Sequence, residues 1–141
     1  MIAVARARGA AWLLGAFAAA CCPFHFYERS ARILPTPSLA EVANACEAAE
    51  LQILERSDEP PQQLWVALPD ERNAWIRIED AVVVLLGGWG HHPTHAECRE
   101  LDAVFAEIVE RLAAAGLRLP FGPAEIVPIV RCERCAAGGG S

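Results

Sequence analysis

Lysine is missing from this 141-residue chain; all twelve of its basic residues are arginine. That removes the lysine of a phosphate-binding loop, and no glycine pattern of the dinucleotide type takes its place. The arginines form no run and the formal net charge is −6, so a nucleic acid meets no electrostatic footprint here. Serine is scarce, with four in total and none in a Gly-x-Ser-x-Gly elbow, which leaves serine-hydrolase chemistry without its nucleophile. Long apolar runs are also absent. The stretch Ala10–Ala20 is about half the roughly twenty residues that a membrane-crossing helix needs.

That stretch fits a different purpose. Arg6 and Arg8, a short apolar middle and small residues before Cys21 follow the three-part pattern of a secretory signal peptide over residues 1–20. The exit Ala18-Ala19-Ala20-Cys21 resembles the lipobox of bacterial lipoproteins, where lipid is attached to the first cysteine of the mature chain. Such boxes usually carry a larger aliphatic where Ala18 stands, and Ala18-x-Ala20 equally suits an ordinary signal peptidase. The plain competitor is an alanine-rich helix. The reading adopted is export to a bacterial cell envelope, with lipidation at Cys21 or release into the periplasm. Loss of Arg6 and Arg8 with the leader takes the net charge from −6 to −8.

An exported chain meets an oxidising compartment, which changes how the cysteines are read. Beyond Cys21 and its neighbour Cys22, the candidates for disulfides are Cys46, Cys98, Cys132 and Cys135, with three possible connectivities.

The mature chain divides into a tether over residues 21–30, one domain over residues 31–131 and a tail over residues 132–141. Arg32-Ile33-Leu34 ends a first strand. Ser38 and Glu41 form a capping box, and Leu39, Val42, Cys46, Ala49 and Ile53 follow at helical spacing, so a helix is expected to run to about Ser57. Alternation in QLWVALP and AWIRIE predicts a hairpin over residues 64–79. AVVVLL, residues 81–86, reads as a strand covered on both faces, either continuing its predecessor or separate from it. Thr94 and Glu97 repeat the capping box ahead of the stripe Cys98, Leu101, Phe105, Ile108 and Leu112, and Gly116 closes the helix. EIVPIVR supplies an edge strand. The resulting order, (β)αββαβ, predicts an α+β two-layer sandwich of the ferredoxin-like kind, with both helices on one face of a mostly antiparallel sheet. Side-by-side helices would then bring Cys46 to Cys98, and a bridge between them is expected.

Chemistry-bearing residues gather in GGWGHHPTHAEC, residues 87–98. His91, His92, His95 and Cys98 are ligand types for zinc or copper, and His95 and Cys98 share a helix face. Their spacing matches no zinc-finger or zincin pattern, and Cys98 also opens the core stripe. A helix N-terminus after a glycine-rich loop can hold an anion, although glycines after a strand most often only let the chain turn. Gly88, Trp89 and Gly90 mark the loop as the first place to look for a site. Cys132 and Cys135 form a Cys-x-x-Cys, but no helix follows to lower a thiol pKa.

These observations lead to a small exported, lipid-anchored envelope protein that serves as a binding or accessory module, with the membrane and another envelope protein as partners. The first alternative is a metal-binding protein using His91, His92 and His95. A weaker one is a thiol-redox protein using Cys132 and Cys135.

Overall fold

The computed structural model describes residues 24–128. Their elements follow the order β1 (His25–Arg32), α1 (Leu39–Ala48), β2 (Gln52–Ser57), β3 (Gln62–Ala67), β4 (Asn73–Glu79), β5 (Val82–Trp89), α2 (His95–Ala114) and β6 (Glu125–Pro128). All six strands join one sheet in the order β2-β3-β4-β5-β1-β6, antiparallel at every pairing. The α+β content agrees with the sequence reading. The ferredoxin-like layout does not: the sheet has six strands in a different order.

Two local events make the difference. First, α1 stops at Ala48 instead of running to Ser57. The Leu51 N–H donates to the Cys46 carbonyl at 2.9 Å and the Glu50 N–H to the Glu47 carbonyl at 3.1 Å, with Glu50 at φ 60°. These paired bonds around a left-handed residue are a Schellman stop. The longer helix α2 closes in the same way, through Leu117 to Leu112 at 2.9 Å and Gly116 to Ala113 at 3.1 Å, with Gly116 at φ 94°. There the left-handed position carries glycine; in α1 it carries glutamate, which gives the sequence no stop signal. The residues released from the helix form β2. Second, Asp80 and Ala81 both adopt positive φ, 46° and 64°, and make a two-residue hairpin turn that sets Glu79 opposite Val82. AVVVLL therefore begins a separate strand.

The connection through α1 carries the chain from β1 to the far edge of the sheet. A meander of β2, β3, β4 and β5 then walks back until β5 pairs with β1. Strand β1 also takes up residues 25–30, which the sequence reading assigned to the tether. On β2 the register against β3 shifts between Ile53 and Glu55, leaving Leu54 outside the ladder and exposed.

Both helices begin as read from the sequence. Ser38 Oγ accepts from the Glu41 N–H at 3.2 Å while Glu41 Oε2 accepts from the Ser38 N–H at 2.7 Å; Thr94 and Glu97 repeat the arrangement. Their apolar stripes face one side of the sheet. Val42 and Cys46 of α1, and Phe105, Ile108 and Leu112 of α2, pack with Leu64, Val66, Ile76, Val83 and Leu85 in a single core. The opposite face carries no helix among the described residues. There Trp65 and Trp75 stack at 5.3 Å, and Trp75 lies opposite Leu86 in register.

Near the end of β5 the two faces come closest to the backbone. A Cβ on Gly87 would run into the Leu101 side chain of α2, and one on Gly88 would sit 2.6 Å from the Phe24 ring and 2.9 Å from the Phe26 ring. Each glycine admits a bulky neighbour, one on each side of the sheet. Gly87→Ala should lower stability by about 1–3 kcal/mol, the usual cost of overpacking. In urea unfolding, Gly87→Ala combined with Leu101→Ala should lose less than the two single losses added together, because the two changes relieve one clash.

Candidate functional site

The site is built where β5 ends and α2 begins. Along β5 the residues Val83, Leu85, Gly87 and Trp89 alternate onto the helix-bearing face. Gly87 lets Leu101 of α2 sit close to the sheet, and the indole of Trp89 lies half-buried at the border of the core. Behind the indole is Tyr27 of β1, with ring centroids 6.4 Å apart, and Tyr27 in turn stacks on Phe105 at 6.1 Å. The Tyr27 hydroxyl donates to Asp102 Oδ1 at 2.9 Å, tying β1 to the second turn of α2.

In front of this wall lies an open groove of about 540 Å³, lined by Trp89, Leu101, Val104 and Ala103 together with Arg72, Asn73, Glu97 and Glu100. Its floor is apolar and its rim carries both signs of charge. Arg72 reaches the rim from the β3–β4 turn, where its Nε donates to Asp70 Oδ2 at 2.7 Å and its Nη2 pairs with Glu107 of α2. Glu97 is fixed from two sides. Its carboxylate accepts the Thr94 N–H at 3.0 Å and lies 3.1 Å from His91 Nε2. The Thr94 backbone bond, then the His91 contact, hold the Glu97 carboxyl below the ordinary glutamate range. A carboxylate so held accepts hydrogen bonds and does not serve as a proton donor near neutral pH. Among the described residues no serine, threonine or cysteine side chain bonds to a histidine. The arrangement is suited to holding a ligand.

The residues singled out in GGWGHHPTHAEC separate in three dimensions. Trp89 lies in the groove. Gly88 faces the opposite side of the sheet, beneath the Phe24 and Phe26 rings, and Gly90 has open space around it. His91 is engaged with Glu97. His92 Nδ1 lies 3.2 Å from the Pro93 carbonyl, and its ring meets that of His25 edge-on at 5.2 Å. His95 opens α2 and is exposed. Among the described residues no group of three or more His, Cys, Asp or Glu side chains is arranged to hold a metal ion, so zinc or copper finds no ready-made donor set there. The anion reading is met by the chain itself, since the Glu97 carboxylate already occupies the start of α2.

The expected Cys46–Cys98 bridge is replaced by two free thiols. The reason is the way the helices meet. Arg111 Nη1 donates to the Ala49 carbonyl at 3.2 Å, so the end of α1 lies beside the C-terminal half of α2. Cys98 stands thirteen residues earlier along that helix, about 20 Å away at 1.5 Å per residue. Burial pushes the Cys46 thiol up to about 12, with Glu47 adding to the rise. Cys21, Cys132 and Cys135 lie outside the described residues.

Sequence reasoning passed over Arg72, Asn73, Glu97, Glu100, Leu101 and Val104 as site residues. Glu97 and Leu101 had been assigned to a cap and a core stripe, which they also serve. Arg72 carried no signal of its own, because it joins the groove only through the β3–β4 turn. The chain matches no protein-family model and no curated protein.

Tyr27 is the one tyrosine of the chain, so its ionisation can be followed without interference from another. Burial, then the bond to Asp102, raise its pKa from 10.0 to about 12. The raised value means the neutral phenol stabilises the fold fully below pH 10, and this contribution is lost as pH rises through about 12. Tyrosinate absorbance should therefore appear near pH 12, and Asp102→Asn should move its midpoint back toward 10.

Proposed function

We propose that this protein is an exported binding module of a bacterial envelope, lipid-anchored through Cys21, which holds its ligand or partner in the groove beside Trp89. The observation that carries this reading is the pairing of β1 with β5, which sets His25 directly opposite Trp89. In the sequence Cys21 precedes His25, the first residue of β1, by four residues. The groove volume of about 540 Å³ is within the usual range for small-molecule and peptide-side-chain sites. Its apolar floor supplies contact area, while Arg72, Glu97 and Glu100 on the rim select for orientation and charge. The signal-peptide pattern of residues 1–20 supports the export part of the reading.

Two measurements test it. Protein recovered from a bacterial membrane fraction should have an intact mass corresponding to a chain that begins at Cys21 and carries a diacylglycerol. Cys21→Ala should shift it to the soluble fraction; recovery of an unprocessed chain that retains residues 1–20 overturns the anchor. For the groove, anilinonaphthalene sulfonate serves as an apolar anionic probe. Ala103 is exposed on α2 and lines the groove, so Ala103→Trp should fill the space without disturbing the core. Saturable probe binding that falls at least tenfold in Ala103→Trp supports the groove, whereas equal binding by both proteins rules it out as the site.

A further inference from the structure

The sheet face turned away from the helices is rich in aromatic and aliphatic side chains, and among the described residues no helix covers it. Alternation sends Phe26, Val84, Leu86, Trp75 and Trp65 to this face, and the Phe24 ring meets that of Phe26 at 5.1 Å. Phe24 is 40% exposed. The Trp65–Trp75 stack stands on one side of β5 and the two phenylalanines on the other. The charges on this face are also arranged about β5. Arg32 of β1 and Glu79 of β4 both lie opposite Val82, one on each side of it. Both are exposed, and Arg32 has no ion pair among the described residues. Further along, Ser30 and Arg77 flank Val84, and Glu28 and Trp75 flank Leu86. Glu79 Oε2 lies 2.9 Å from Arg77 Nε, so the carboxylate sits on the same face as the arginine.

We propose that two copies of the chain pair through this face, about a two-fold axis that runs along β5. Such an axis exchanges the two sides of β5. Strand β1 of each copy then crosses over β4 of the other, and β6 over β3. Two sheets packed face to face keep their strands within about 30° of each other, which this axis permits. Because Arg32 and Glu79 share the level of Val82, Arg32 of each copy stands over Glu79 of the other. Glu28 comes over Trp75, about 7 Å along the strand from Arg77 and within reach of its guanidinium. Val82, Val84 and Leu86 lie along the axis and meet their own counterparts. A two-fold contact has to be self-complementary. Opposite charges at one level on either side of an apolar centre meet that requirement, and this is what favours a second copy over an unrelated partner. The size is also sufficient. At about 4.8 Å between strands and 3.4 Å per residue, the five strands centred on β5 present roughly 550 Å². Two copies cover about 1,100 Å² in all, above the roughly 1,000 Å² that a specific interface needs. The groove beside Trp89 is on the helix-bearing face, so pairing leaves it open, and the inference does not depend on what the groove holds.

Sedimentation equilibrium of the full-length chain at about 100 µM should give twice the 15.2 kDa of one chain. Arg32→Glu and Glu79→Arg each set like charges against each other at two places in the interface. Each should raise the dimer Kd at least about tenfold. Both residues are exposed, so circular dichroism should show both variants folded. Mixed in equal amounts, the two variants should pair again. In the mixed dimer one contact is the native Arg32–Glu79 pair and the other is its reversal, and both attract. A chain that stays monomeric at that concentration overturns the inference, whatever else then covers the face. Oligomers that form as readily with either charge variant as with the unaltered chain overturn it too. So does a mixture of the two variants that fails to regain pairing.

Discussion

Leu101 resting on the bare backbone of Gly87 is the contact on which the working end of this molecule depends. It sets how closely the first turns of α2 approach the sheet, and three consequences follow. Asp102 comes within hydrogen-bonding distance of Tyr27 on β1. The Trp89 indole lies half-buried against the border of the core, beside Leu101 in the groove. The space left between Trp89, Leu101 and the β3–β4 turn becomes the groove. A site of this kind is positioned by packing: its floor consists of residues that also hold the helix on the sheet.

How much of this the sequence disclosed depends on whether the signal was local. Both helix starts were legible, because a capping box is written in four consecutive residues and needs no tertiary partner. The two stripes were legible because burial repeats at helical spacing. The end of α1 was not, since the left-handed stop is made by Glu50, a residue that rarely takes that conformation, and is stabilised by Leu51 entering the core. That single hidden stop converted a long helix into a shorter helix plus an edge strand. With the Asp80–Ala81 turn it changed the strand count and therefore the topology. The site was half legible: GGWG pointed to Trp89, but the partners that complete the groove arrive from elements whose placement only the sheet order decides.

The two faces of the sheet are unlike in a way composition does not reveal. One is sealed by helices into a core that includes Phe105 and Cys46. The other bears paired tryptophans, with Val84 and Leu86 buried along the central strand although no helix among the described residues covers them. That second layer of apolar contact between strands helps to explain why AVVVLL lacks alternation: its residues are shielded on both sides.

The displaced Leu54 on β2 has a consequence for how these molecules meet one another. A strand at the rim of a sheet normally displays a regular series of donors and acceptors to which another chain can add. Here the register slips midway, and Glu55 and Arg56 follow directly after the slip. An incoming strand that matched the first part of β2 would be out of phase with the rest, and charged side chains would stand in its path. The bulge therefore works as a guard against sideways growth of the sheet at its β2 edge.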